Sequence, residues 1–88
     1  MEISLSKRFL KDLALIPSKQ RKEIEHFVFD ILPLATTLGD LKIFEKMSGY
    51  DHCYKARFGS YRLGAYFDHH TLELRRVMNR KDIYKFFP

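Results

Sequence analysis

Cysteine is nearly missing from this chain. Cys53 stands alone, which excludes an internal disulfide and a zinc site built on paired cysteines. A lone thiol is what a reducing cytoplasm permits, so a cytoplasmic location is expected. Long apolar runs are missing too. No stretch approaches the roughly 20 residues needed to span a bilayer, and no signal-peptide pattern opens the chain. No carboxylate cluster offers to hold a divalent metal; the expectation is no metal and no small-molecule cofactor. His26 has no histidine partner four residues on and reads as structural. The adjacent His69 and His70 would point to opposite faces of a strand, so they read as a solvated turn.

What is present is enough for one core. Eighty-eight residues with 45% hydrophobic content, eight phenylalanines and five tyrosines indicate a single folded domain over residues 1–88. The charge is unevenly spread. Residues 1–54 hold eight Lys/Arg and eight Asp/Glu, whereas residues 55–88 hold eight and three, so the whole net charge of +5 sits in the second part. A one-sided field of this kind suits a polyanionic partner, nucleic acid or an acidic protein segment. A membrane partner is not expected, because these cations lie on strands and not on an amphipathic helix.

The stretch from Tyr54 to Tyr84 organises the chain. Tyr54–Phe58 and Tyr61–Phe67 both alternate, the period of half-buried strands, and Gly59-Ser60 between them suits a type II′ hairpin turn. That turn fixes the register: Phe58 opposite Tyr61, Arg57 opposite Arg62, Ala56 opposite Leu63, Lys55 opposite Gly64. Tyr54, Ala56, Phe58, Tyr61, Leu63, Ala65 and Phe67 fall on the core face. Lys55, Arg57 and Arg62 fall on the other, with like charges directly paired, an arrangement that destabilises a sheet unless an anion is held there. Gly64, opposite Lys55, would leave floor space for a ligand backbone. The bland alternative is a solvated face bearing ordinary surface cations.

Taken in order, Glu2–Leu5 reads as a short strand. Ser6 caps a helix from Lys7 to about Leu15, with Phe9, Leu10, Leu13 and Ile16 inward and Lys7, Arg8, Lys11 and Asp12 outside. Pro17-Ser18 restarts a second helix, Ser18 as cap, with Ile24, Phe27, Val28, Ile31 and Leu32 on one stripe until Pro33 stops it. Leu41–Met47 is a strand, a helical turn or an extended lead-in. Thr71–Met78 is a strand whose inward Leu72 and Leu74 are followed by Val77 at the wrong spacing, the mark of a bulge or a change of face. Ile83 and Phe87 fit a final turn of helix. The fold class is therefore α+β: a small antiparallel or mixed sheet, made of the N-terminal strand and three C-terminal antiparallel strands. It packs against an N-terminal helical hairpin, with a short C-terminal helix.

The hairpin Tyr54–Leu63 together with the tail Asn79-Arg80-Lys81-Asp82-Ile83-Tyr84 resembles the RelE/ParE toxin superfamily of type II toxin–antitoxin systems, and the order of elements over all 88 residues agrees. The resemblance implies, for RelE-like members, a ribosome-dependent endoribonuclease that cuts mRNA without a metal. Its partners would be a cognate antitoxin, the ribosome and mRNA. ParE-like members instead act on DNA gyrase, and a non-catalytic toxin or inactive nucleic-acid binder is the competing expectation. The basic cluster carries over to Lys55, Arg57 and Arg62, and the tail pair to Arg80 and Tyr84. Arg57 stands where a second lysine is typical, and the step from Arg80 to Tyr84 is shorter than in the usual pattern. A guanidinium does not deprotonate, so Arg57 can clamp a phosphate but cannot be a base. Lys55, among like charges, is the candidate base; Arg57 and Arg62 would stabilise the phosphorane, Arg80 the phosphate or leaving oxygen, and Tyr84 would stack on a base or orient the nucleophile. Of the histidines only His52 stays open as an acid–base alternative.

Overall fold

A computed structural model describes all 88 residues. Its strands are β1 (Glu2–Leu5), β2 (Phe44–Lys46), β3 (Cys53–Phe58), β4 (Tyr61–Asp68) and β5 (Thr71–Asn79). The helices are α1 (Lys7–Leu15), α2 (Ser18–His26) and α3 (Arg80–Phe86). The five strands form one sheet in the order β1-β5-β4-β3-β2. β1 runs parallel to β5 and every other pair is antiparallel, so the sheet is mixed, as the α+β reading allowed. No helix is long and apolar enough to cross a membrane.

The main core lies between one sheet face and the α1–α2 hairpin. Phe9, Leu13, Ile16, Ile24, Val28 and Leu32 meet Ala56, Leu63, Ala65, Leu72, Leu74 and Val77, nearly all fully buried. At about 1.5–3 kcal/mol for each large aliphatic or aromatic side chain removed from water, this layer supplies most of the favourable term in folding. α1 begins as expected: the Ser6 hydroxyl accepts from the Phe9 N–H at 3.0 Å. Two inward assignments fail on this hairpin. Leu10 is 44% exposed, because the buried stripe of α1 is the narrower Phe9–Leu13–Ile16 row. Ile31 is 42% exposed because α2 passes into a π turn over Phe27–Ile31. That wider turn takes up about one extra residue, so positions seven apart no longer overlie one another. Pro33 does not end the helix abruptly either; it sits inside a 3₁₀ turn, Leu32–Leu34. Nor does Ser18 cap α2: Pro17 occupies the cap and offers no side-chain bond.

The uneven spacing of β5 is a bulge. Gly64 pairs with Arg76 and Ala65 with Leu74, which leaves Arg75 as the extra residue. The added residue keeps Leu74 and Val77 on the same face, both with no exposure. Beyond Leu74 the edge of β5 has lost β1, and side chains take over the pairing. The Ser6 hydroxyl donates to the Arg75 carbonyl at 2.9 Å. Asp12 Oδ2 accepts from the Val77 N–H at 3.1 Å and from Arg76 Nε at 2.7 Å, with Arg76 Nη2 on Oδ1 at 3.1 Å. The helical pattern puts Asp12 outside with its charged neighbours; in the fold its side chain is 11% exposed, against 16% for Arg76. The hydrogen bond to Asp12 holds the Arg76 guanidinium above its ordinary pKa. The pair closes a strand edge that would otherwise present unmet backbone groups.

Candidate active site

The hairpin register is the one expected, from Phe58–Tyr61 through Lys55–Gly64. Gly59 takes φ +60° and Ser60 stays at negative φ, as a type II′ turn requires. Lys55 and Arg57 therefore share the sheet face opposite the main core with Arg62, and Arg57 lies directly across from Arg62. Arg57 is exposed, while Lys55 and Arg62 are half-buried. The Arg62 guanidinium is turned back on its own hairpin: Nη1 donates to the Gly59 carbonyl at 2.7 Å and to the Tyr61 carbonyl at 2.9 Å. One arginine of the pair thus clamps the turn, and the other points to solvent. β2 adds a residue that sequence reasoning missed. Glu45 pairs with Lys55 across the β2–β3 register, an opposite-charge neighbour on the same face.

α3 brings the tail residues to this face. Asn79 caps it, its side-chain oxygen accepting from the Lys81 N–H at 3.0 Å, and the Arg80 N–H donates to the Ser60 carbonyl at 2.8 Å, tying the helix start to the hairpin turn. Arg80 and Tyr84, four apart, lie on one stripe of the helix. The Tyr84 hydroxyl reaches Lys55 Nζ at 3.4 Å, and the ammonium sits 5.8 Å from the ring centroid. So the structure brings Lys55 and Tyr84 together, places Arg57 and Arg62 beside them on the same face, and sets Arg80 against the hairpin turn.

The face is less open than the sequence suggested. Ile83 and Phe87, each 2% exposed, form a second small core with Met47, Cys53, Tyr66 and Met78. Gly64 is not floor space for a ligand. A Cβ there would come within 2.5 Å, 2.6 Å and 2.9 Å of three atoms of the Phe87 ring. The aromatic ring lies over the bare backbone, and that is why glycine is needed. The signal was half legible: Ile83 and Phe87 had helical spacing, but nothing local said where the helix would dock. A contact between an exposed cation and an aromatic ring contributes only about 0.5–1 kcal/mol. Burial of Ile83 and Phe87, about 1.5–3 kcal/mol each, is what keeps α3 in place.

The histidines fall away from the site. His69 and His70 form the β4–β5 turn, with φ of 47° and 69°. His26 is an exposed surface partner of Asp30 at 2.9 Å, not a core residue. His52 is exposed, bonded through Nδ1 to the Phe67 carbonyl at 3.1 Å, and tilted against Tyr66 with ring centroids 5.2 Å apart. Tyr66 also carries the Arg75 guanidinium over its ring at 4.2 Å.

No family model matches the chain. Toxin RelE3 of Methanocaldococcus jannaschii is 37% identical over 89 residues, covering 100% of both chains. Among solved structures, the RelB–RelE antitoxin–toxin complex from Methanococcus jannaschii matches with a TM-score of 0.77 at 36% identity, over 97% of this chain and 99% of that one. The isolated E. coli RelE toxin matches with a TM-score of 0.66 at 19% identity, over 96% of this chain and 90% of that one, a likeness of fold.

Proposed function

The chain belongs to the RelE toxin family, and from that footing we propose that it is a ribosome-dependent endoribonuclease that cleaves mRNA by metal-independent attack of the 2′-hydroxyl. The observation that carries the reading is the meeting of Lys55 and Tyr84, 3.4 Å apart, beside the paired cations Arg57 and Arg62. In the reaction the 2′-oxygen loses its proton, bonds to the adjacent phosphorus, and the bond from phosphorus to the 5′-oxygen breaks. The 5′-oxygen takes a proton from water as it leaves, so the products are a 2′,3′-cyclic phosphate and a 5′-hydroxyl. Lys55 is the group placed to take the proton, and the Tyr84 hydroxyl orients the nucleophile or its ring stacks on a base. Arg57 and Arg62 meet the charge of the phosphorane, and Arg80 assists the phosphate or the leaving oxygen.

The chain offers one candidate base and no evident acid, so positioning must supply much of the rate. Orientation of reacting groups is able to contribute about 7–11 kcal/mol to lowering a barrier. Splaying of mRNA on the ribosome into an in-line geometry would provide it. Cleavage should appear with ribosomes and be nearly absent on naked RNA. Strong cleavage of naked RNA would instead indicate a self-sufficient ribonuclease and return attention to His52. Growth arrest with damaged DNA and no RNA cleavage would move the protein to the gyrase-directed branch. We propose in addition that a cognate antitoxin covers the exposed apolar side chains of the helical layer, Leu10, Leu15, Phe29, Ile31 and Leu34, and neutralises the basic sheet face.

A further inference from the structure

We infer that Phe87 and Gly64 are positioning residues for the candidate site: the ring seated on the bare backbone of β4 sets where Tyr84 stands relative to Lys55. The inference rests on the proposed reaction for its kinetic arm, and on geometry alone for its structural arm.

α3 has seven residues, too few to hold a helix on local propensity. Its place must come from what it touches. At the start it is tied to the hairpin turn by the Arg80 N–H on the Ser60 carbonyl. Further along, Ile83 and, one residue past the helix end in extended backbone, Phe87 occupy the second small core, the Phe87 N–H still donating to the Ile83 carbonyl at 2.8 Å. Tyr84 follows Ile83 by one residue, about 100° round the helix, so it emerges at the flank toward β3 and is 54% exposed. Nothing packs round Tyr84 tightly enough to fix it. Its hydroxyl meets Lys55 at the long limit of a hydrogen bond, 3.4 Å. The angle of α3 over the sheet therefore decides whether that contact exists.

Phe87 sets that angle. Its Cγ, Cδ2 and Cε2 would all lie within 2.9 Å of a Cβ on residue 64, so even one methyl group cannot be fitted under the ring. Gly64 has no positive φ that would call for glycine on backbone grounds, and glycine weakens a strand interior. The residue is there for the ring. Gly64 is also the register partner of Lys55. The seat of the helix and the candidate base are thus neighbours on adjacent strands, and a displacement of the ring is passed directly to the Lys55–Tyr84 contact.

The experiment uses the full chain. In Gly64→Ala the added methyl lifts Phe87, and nuclear Overhauser contacts between the Lys55 ε-methylene and the Tyr84 ring should disappear while those of the main core persist. In Gly64→Ala combined with Phe87→Leu, the smaller side chain admits the methyl and the contacts should return. On programmed ribosomes, the single-turnover cleavage rate of Gly64→Ala at saturating ribosome should fall at least tenfold, with a smaller change in the ribosome concentration giving half-maximal rate. The double variant should recover most of it. In a Tyr84→Ala background, Gly64→Ala should slow cleavage by no more than twofold, because both the hydroxyl and the ring it acts through are already gone. Retention of the Lys55–Tyr84 contacts in Gly64→Ala overturns the inference. So does a tenfold loss that persists in the Tyr84→Ala background. A wild-type chain that never cleaves mRNA overturns the proposed reaction instead, and the magnetic resonance arm then still decides the positioning.

Discussion

Arg62 is held by two carbonyls of its own turn, at 2.7 Å and 2.9 Å, and faces a second arginine across the ladder. It therefore has two separable roles. Arg62→Ala should abolish growth arrest and slow ribosome-dependent cleavage by at least 100-fold. The two lost hydrogen bonds should lower stability by only about 1–3 kcal/mol, partly offset by relief of like charge. Urea denaturation beside a growth assay checks both, and growth arrest equal to wild type by a folded Arg62→Ala protein would sink the assignment of this face. A second residue gives a pH test away from the site. Hydrogen bonds from the Thr36 side chain, the Thr37 N–H and the Thr37 side chain hold Asp40 below the ordinary carboxylate value of 3.8. A depressed folded pKa contributes stability above the unfolded value and loses it as pH falls through the folded one. The Thr37–Asp40 capping box should thus be intact at neutral pH and open only in acid below the usual aspartate range. An Asp40 carboxyl resonance titrating at or above the midpoint of free aspartate would contradict this.

Elements differ in how much of their shape is local. The β3–β4 hairpin was legible to the residue because a two-residue loop beginning with glycine leaves one register, and the α1 cap was legible because Ser6 bonds within its own turn. The end of α2 was not: the π turn at Phe27–Ile31 answers to packing against the sheet, and no residue type announces it. β2 was not either, since three residues pair only through contacts with β3. Asp12 was misread because its partner Arg76 lies 64 positions away, and Gly64 because a glycine in a strand signals close approach without saying by what. Among the candidate site residues, Lys55, Arg57 and Arg62 fall on one face by alternation and the register the turn sets; the approach of Tyr84 needed the docking of α3. The β4–β5 turn carries its own prediction. His69 and His70 both sit at positive φ, where a side chain costs roughly 1–2 kcal/mol per residue. Replacing the pair by Asn-Gly, the residues that such turns favour, should raise stability by about 1 kcal/mol and shift the thermal midpoint upward by several degrees. A lower midpoint would show that the histidines are held there by contacts that offset the strain.

At the scale of the whole molecule the charge of +5 sits in residues 55–88, the stretch that carries Lys55, Arg57, Arg62 and Arg80. Each phosphate neutralised on a single strand contributes about −0.7 to the slope of log K against log salt. With Lys55, Arg57, Arg62 and Arg80 each engaging one phosphate, RNA binding should show a slope near −3, roughly halved in Arg57→Ala/Arg80→Ala; a flat dependence would remove the electrostatic reading. The placement of β1 has a different consequence, one of timing. Glu2–Leu5 pairs in parallel with Thr71–Leu74, so β1 has no partner until β5 has been made. Chains leave the ribosome at about 5–20 residues per second, and pairing between such distant segments is slow. The nascent chain spends seconds with its edge strand waiting and with β4, β5 and α3 still unmade. The two remote parts of the sequence therefore meet late, and closure of the sheet at β1 follows the making of nearly every other element.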